Sequence, residues 1–234
     1  MLPSPSSTRA TPGHLHVQKW RGRIGLSLVA SLSVLAGMTD AIGFMASGDF
    51  VSFMSGNTTR LAVAISDGDL GLTVRLLILV ATFIVGNALG IVVSRMGGRR
   101  ALPLLMCIAT LLCGAAAWPY EQQLPALLAA IIGMGMLNAA VEEVNGLPVG
   151  LTYVTGALSR FGRGLGRWML GERRNGWRVQ LIPWTGMFAG AVIGAVLEHH
   201  LGLSALYASG LLAGALGLAS LLIPRRWQLG YMPR

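Results

Sequence analysis

VSFMSGNTTRL, Val51 to Leu61, and LTYVTGALSRF, Leu151 to Phe161, are two versions of one pattern. Gly56 and Arg60 fall on Gly156 and Arg160, while Ser52/Thr152, Phe53/Tyr153, Ser55/Thr155 and Thr59/Ser159 are chemical equivalents. The match continues outward. Upstream, after a two-residue shift, Gly37, Met38, Asp40, Ala41 and Gly48 meet Gly135, Met136, Asn138, Ala139 and Gly146; downstream, after a small insertion, Gly86 and Gly90 meet Gly190 and Gly194. Self-similarity of this extent marks a chain built from two related units. The units are read as residues 21–120 and 121–226, between a tail at 1–20 and a short tail at 227–234.

Composition names the solvent. Apolar residues make up 53% of the chain and charged residues 12%, and the mean hydropathy is +0.63, well outside the range of a domain folded in water. Apolar runs at roughly 24–46, 73–94, 101–117, 124–142, 179–197 and 203–223 read as six membrane spans of ~20 residues each. The net charge of +9 comes from Arg residues gathered in short segments between these runs. That placement fits cytoplasmic loops, and no basic domain with interleaved aromatics points to nucleic acid. Cys107 and Cys113 lie in one apolar run at a spacing that puts them on different sides of a helix, so they read as packing residues. The Pro-, Ser- and Thr-rich residues 1–20 read as a disordered cytoplasmic tail, with His14 and His16 unliganded. The first apolar run reads as an uncleaved helix, because Asp40 follows it and no small-residue cleavage site does.

The repeated segments are poor spans. Phe50 to Ile65 carries Ser52, Ser55, Asn57, Thr58, Thr59 and Arg60, and Val149 to Leu165 carries Thr152, Thr155, Ser159, Arg160 and Arg163. If both crossed the bilayer there would be eight helices, and Arg95, Arg99 and Arg100 would share the outside with the acidic turn at 143–148. If both enter and leave on one side, Lys19/Arg21/Arg23, Arg95/Arg99/Arg100, the cluster from Arg163 to Arg178, and Arg225/Arg226/Arg234 all become cytoplasmic. The external turns at 66–72, 118–123 and 198–202 then hold Asp67, Asp69, Glu121 and Glu198. The expected fold is therefore an all-α polytopic membrane protein with six transmembrane helices plus two re-entrant, broken helical segments. Three spans per unit is an odd number, which makes the repeat inverted. The expected setting is the bacterial cytoplasmic membrane, crossed several times, with both termini inside.

Irregular backbone at membrane depth is tolerable only inside protein or beside a water-filled cavity, so the broken segments are where a site is expected. Ser55-Gly56-Asn57 and Thr155-Gly156 combine flexible Gly with acceptors suited to capping short helices that begin there, whose N-termini favour anions. The structural alternative is that small residues simply allow tight packing. Arg60 and Arg160, one turn further on, either add charge to such a site, reach to headgroups or pair with acids. Asp40, inside the first span, either couples a proton or cation or serves as partner for Arg60 or for backbone freed by the break. Asn138 is its uncharged repeat mate. Asn87, within the Gly86–Gly90 packing face, reads as an interhelical hydrogen bond, and Glu142 and Glu143 as interfacial. Glu198-His199-His200 lacks a third metal ligand, so neither metal nor cofactor is expected. Residues 160–178 mix Arg with Trp168, Met169 and Trp177, as suits an interfacial segment on anionic lipid.

FVSFMSGNTTRLAVAI, preceded by Ala-Gly-Met-Thr-Asp-Ala-Ile-Gly-Phe, and TYVTGALSR at 152–160 resemble the YoaK-like bacterial integral membrane family, domain of unknown function 1275. The resemblance spans nearly the whole chain after the tail and implies a six-span bacterial membrane protein. It brings no substrate or reaction. Ala157, where the family commonly carries a hydroxyl residue, is a departure that weakens a hydroxyl-lined second half-site. The expected function is a small secondary transporter or channel for an anionic or small polar solute, not an enzyme. Its pathway would be lined by Asp40, Ser55, Gly56, Asn57, Thr58, Asn138, Thr155 and Gly156, with Arg60 and Arg160 beside it. The bilayer and an unknown solute or ion are the expected partners, nucleic acid is not, and homo-oligomerisation is left open. Two alternatives stand beside it: a membrane-embedded enzyme acting on a lipid or isoprenoid, against which stands the lack of a nucleophile and base pair, and a non-catalytic interaction partner, for which the repeated breaks would be superfluous.

A topology reporter fused within residues 66–72 is expected to report an external location with six spans and an internal one with eight.

Overall fold

The computed structural model describes residues 12–119, 123–140, 143–144, 147–148, 154–173 and 176–229, with side chains described from residue 22 onward and not for 143–144 or 147–148. Of the residues singled out above, Glu121, Glu142, Gly146, Thr152, Tyr153 and Arg234 lie outside the described residues, as do 1–11. The helices are α1 (Pro12–Ser47), α2 (Met54–Ser66), α3 (Leu70–Met96), α4 (Ala101–Ala116), α5 (Gln123–Leu137), α6 (Val154–Met169), α7 (Leu181–Leu201), α8 (Leu206–Ala219) and α9 (Arg225–Gln228). A two-residue antiparallel pairing, Glu143–Val144 with Leu147–Pro148, is the only strand pairing among the described residues. Helices satisfy their own backbone groups, which a chain of this composition requires in lipid.

Local sequence sets the helix limits. Asp69 starts α3 by accepting the Leu72 N–H at 2.9 Å, and α3 stops at Gly97-Gly98, where Gly98 has φ +68°. Pro12 opens α1, in keeping with the preference of Pro for the first helical turn, so Pro12–Trp20, expected as tail, forms the start of that helix. Helix α5 ends at Leu137, short of the expected limit at 142, and Asn138–Ala140 form turns.

Among the described residues, three helical stretches are long and apolar enough to cross a membrane: Gly22–Ser47, Leu70–Met96 and Trp177–Leu222. The last, at 46 residues, would run to ~69 Å as one helix, more than twice the ~30 Å hydrocarbon thickness. It is two helices, α7 and α8, separated at Gly202 with φ +57°. Helices α4 and α5 are shorter apolar helices. Only 22% of the most apolar window of α3 is buried inside the protein, and Leu70, Val74, Ile84, Val85 and Val92 stand exposed along it. Such a surface is untenable in water and ordinary in lipid.

The core is built where α1, α3, α4, α5 and α8 meet, around Leu32, Leu35, Leu76, Leu79, Leu105, Ile108, Leu112, Ile131 and Met134. Glycines let helix pairs approach closely, above all α1 with α7 and α3 with α5. In the α1–α7 pair, a Cβ at Gly190 would overlap the Val34 carbonyl, one at Gly194 would overlap the Met38 backbone, and one at Gly37 would overlap Met187. In the α3–α5 pair, Gly86 lies against Ile132, Gly90 against Met136, and Gly135 against the Phe83 carbonyl and the Asn87 N–H. Backbone contact of this kind drives helix association where no hydrophobic effect operates between helices. Helix α4 packs on α5 and α8, α2 on α3, and α6 on α7. The C-terminal end is docked as well. Buried Gln228 accepts the Ala101 N–H at 3.1 Å and donates to the carbonyls of Ser220 and Ile223, so Trp227–Gln228, expected as tail, closes the N-terminus of α4.

Gly190→Ala is expected to lower thermal stability in detergent by about 1–3 kcal/mol, because its Cβ meets backbone that must move. Gly166→Ala on α6, which faces open space, is expected to leave stability unchanged or raise it by up to about 1 kcal/mol.

Candidate functional site

Between α1 and α2 the chain leaves helical geometry for Gly48 to Phe53, turning at Gly48 with φ +74°. N–H and C=O groups freed there find partners in the side chains of Ser47, Asp40, Asn57 and Arg60. Asp40 Oδ1 accepts the N–H groups of Val51 and Ser52, at 2.8 and 2.7 Å. Asn57, fully buried on α2, pairs with both backbone groups of Phe50: Oδ1 accepts the N–H at 3.2 Å and Nδ2 donates to the carbonyl at 2.7 Å. Asp49, 2% exposed, binds Arg60 Nη1 through Oδ1 and Arg75 Nε through Oδ2, both at 2.6 Å. Arg60 Nη1 also donates to the Gly48 carbonyl at 2.8 Å. Phe44, Phe50 and Phe53 stack along the segment, with centroids 4.6 and 5.2 Å apart. Gly56 is bare because a Cβ there would strike the Phe53 ring at 2.5 Å.

This geometry corrects the capping expectation. The N-cap of α2 is Phe53, with no side-chain cap bond, so Ser55, Gly56 and Asn57 occupy the first turn and Asn57 looks back to the loop. Thr155 and Gly156 likewise lie in the first turn of α6, which begins at Val154. Of the readings left open for Asp40, the geometry is that of an acceptor for freed backbone. Arg60 is paired with an acid.

The first turns of α2 and α6 come together around a cavity of about 300 Å³. Ser55 faces it from α2 and Thr155 from α6; Met54 and Val154 precede them, and Gly156, Ser52 and Phe53 complete that part of the wall. Phe83 of α3 and Met187 of α7 close the sides. Each of these stands three residues before a matched glycine, Gly86 or Gly190, so Phe83/Met187 are repeat mates as Ser55/Thr155 are. The hydroxyls of Thr58 and Thr59 bond back to carbonyls of their own helix. Those of Ser55 and Thr155 make no hydrogen bond among the described residues, and that of Ser52 is buried beside Asp40 rather than open to the cavity.

The residues singled out from the sequence thus separate. Ser55, Thr155 and Gly156 line the cavity. Asp40, Asn57 and Arg60 hold the loop behind it, and Gly56 seats the Phe53 ring. Thr58 is exposed on α2. Asn138 donates to Asn87 Oδ1 at 3.1 Å, joining the end of α5 to α3. Arg160 Nε donates to Gln180 Oε1 at 2.8 Å, and its Nη1 lies 3.5 Å from where a Gly156 Cβ would be. Sequence reasoning missed Asp49, Arg75, Phe83, Met187 and Gln180. An Arg at position 75 of an apolar run demands a partner and could have pointed to Asp49; the offset of the matched glycines could have pointed to Phe83 and Met187. Among the described residues no group of three or more His, Cys, Asp or Glu could hold a metal ion. His199 and His200, at the end of α7, sit edge to face with their ring planes at 88°.

Removing Asp49 strands two guanidinium groups. Asp49→Ala is expected to cost about 3 kcal/mol in denaturation of the detergent-solubilised protein, at the low end for a broken buried pair because both arginines are about a third exposed. Asp67→Ala, exposed on the next turn, is expected to change stability by less than about 0.5 kcal/mol.

A family model described as "Protein of unknown function (DUF1275)" matches residues 28–219, from within α1 through α8. A UPF0700 transmembrane protein from Rhizobium meliloti (strain 1021) is 51% identical over 214 residues, which cover 91% of this chain and 93% of that relative. No solved structure matches. Helices α2 to α8, the residues that hold the α1–α2 break and the cavity between α2 and α6 all lie inside the matched region, and this multi-pass transmembrane chain belongs to the DUF1275 family.

Proposed function

We propose that the protein is a small secondary transporter or channel of the bacterial cytoplasmic membrane, with six spans, both termini inside, and a pathway between two inverted halves. The observation that carries this reading is the cavity. It is bounded by residues that the sequence repeat pairs, Ser55 with Thr155, Met54 with Val154 and Phe83 with Met187, and it brings together two hydroxyls, those of Ser55 and Thr155, that make no hydrogen bond among the described residues. In lipid a hydroxyl without a partner is costly, so a place where two converge is suited to water or a polar solute.

The packing supports the paired halves. Gly37 against Met187 has its counterpart in Gly135 against Phe83; Gly194 against Met38 in Gly90 against Met136; Gly190 against Val34 in Gly86 against Ile132. Each contact joins a helix of one half to a helix of the other, so the halves interlock. In this reading α1 with α7 and α3 with α5 move as two rigid pairs. Helix α6 rides on α7 and α2 on α3, and a small rocking of one pair against the other widens or closes the cavity. Asp40 and Asp49 keep the loop behind α2 in one shape during that motion.

The test is single-cysteine accessibility, in a chain whose Cys107 and Cys113 are replaced. Ser55→Cys and Thr155→Cys are expected to react with membrane-impermeant thiol reagents in proteoliposomes, and the modification to block flux in a screen of small anions, cations and neutral polyols. Cysteines at both positions that no reagent reaches from either side would sink the pathway reading.

A further inference from the structure

The two halves treat their matched arginines differently. Arg60 is paired with an acid: Asp49 takes it together with Arg75, one carboxylate shared between two guanidinium groups. The positions that the repeat's two offsets bring onto Asp49 are Leu147 and Val149, neither of them acidic. Arg160 accordingly rests on the neutral amide of Gln180, and no ion pair to it occurs among the described residues. Its side chain runs back toward the N-terminus of α6, as helical side chains do, and the guanidinium comes to lie over Gly156. Gly156 lines the cavity and Arg160 does not, so the charge packs on the outer side of that bare glycine.

The remaining wall limits what such a charge can hold. Phe53, Met54, Phe83, Val154 and Met187 offer apolar and polarisable surface. Hydroxyl donors come from Ser55 and Thr155. Asp40, the nearby carboxylate, has Oδ1 engaged by two backbone N–H groups. A strongly hydrated inorganic anion would surrender more hydrogen bonds than this wall returns. A planar carboxylate matches a guanidinium and leaves its apolar body against the rings and thioethers.

We infer that the cavity binds a small organic monoanion with an apolar body, its carboxylate held by the hydroxyls of Ser55 and Thr155 beside Gly156, with the Arg160 guanidinium packed on that glycine supplying the charge. This rests on the pathway reading above and gives it a substrate class. Benzoate is the probe, with benzyl alcohol and inorganic phosphate as its neutral and apolar-body-free counterparts, in calorimetric titration of the purified full-length protein.

Benzoate is expected to bind at least tenfold more tightly than either counterpart. Arg160→Gln is expected to lose at least tenfold in benzoate affinity. Arg160→Lys, which keeps the charge and guards against a folding defect, should lose less. Arg163→Gln removes an exposed charge one turn away, whose Nη1 bonds Ser159 Oγ at 3.0 Å, and should change affinity less than twofold. Equal binding of benzoate and benzyl alcohol, preference for phosphate, or an equal loss in Arg163→Gln would each overturn the anion inference. Such a result alongside reactive cysteines at 55 and 155 would leave the pathway standing, whereas unreachable cysteines would remove both.

Discussion

Two backbone N–H groups, those of Val51 and Ser52, are buried inside the protein and must find acceptors there, and Asp40 supplies one oxygen to both. Much follows from that bond pair. It lets α1 stop at Ser47 and the chain resume as α2 without leaving polar backbone bare, and it fixes where the first turn of α2 begins. Asn57 repeats the device one residue earlier in the loop, on Phe50. Asp49 adds a charged version that reaches across to α3 through Arg75. Burying one carboxylate against two arginines is favourable only because all three groups find hydrogen bonds. The loop behind α2 is consequently rigid, and the cavity wall it supports is preorganised.

The halves share a pattern and differ in chemistry. Asp40 corresponds to Asn138, Asn57 to Ala157, and the acid-paired Arg60 to the amide-paired Arg160. Ala157 is fully buried and cannot clamp a backbone as Asn57 does. Asn138 stands just past the end of α5 and turns toward Asn87 on α3. The first half therefore puts its polar side chains into holding itself together. The second leaves a guanidinium over a bare glycine, and the proposed anion site rests on that asymmetry.

Glycine placement governs the larger arrangement. The faces at Gly37, Gly86, Gly90, Gly135, Gly190 and Gly194 each meet backbone of another helix, and close approach of this kind fixes axial register more tightly than leucine packing could. Phe83 and Met187 belong to these same interfaces and also line the cavity. Movement at the helix contacts would therefore change the cavity's shape directly, which links packing to the proposed transport cycle.

From the sequence alone, the solvent, the helical character, the approximate limits of the apolar helices and the existence of two weak, polar segments were legible, because composition and hydrophobic run length respond to lipid directly. Ser55, Thr155 and Gly156 were legible as a group because the repeat marks them. Which side chains face the cavity and which hold the frame was not, since that depends on contacts between residues far apart in the chain. Asp49 with Arg75, Arg160 with Gln180, and Phe83 with Met187 across the cavity leave no local pattern. The end of α5 at Leu137 and the docking of Gln228 on Ala101 were likewise decided by tertiary structure. A backbone group freed from a helix takes whichever acceptor the fold brings to it, and only the assembled helices determine which one that is.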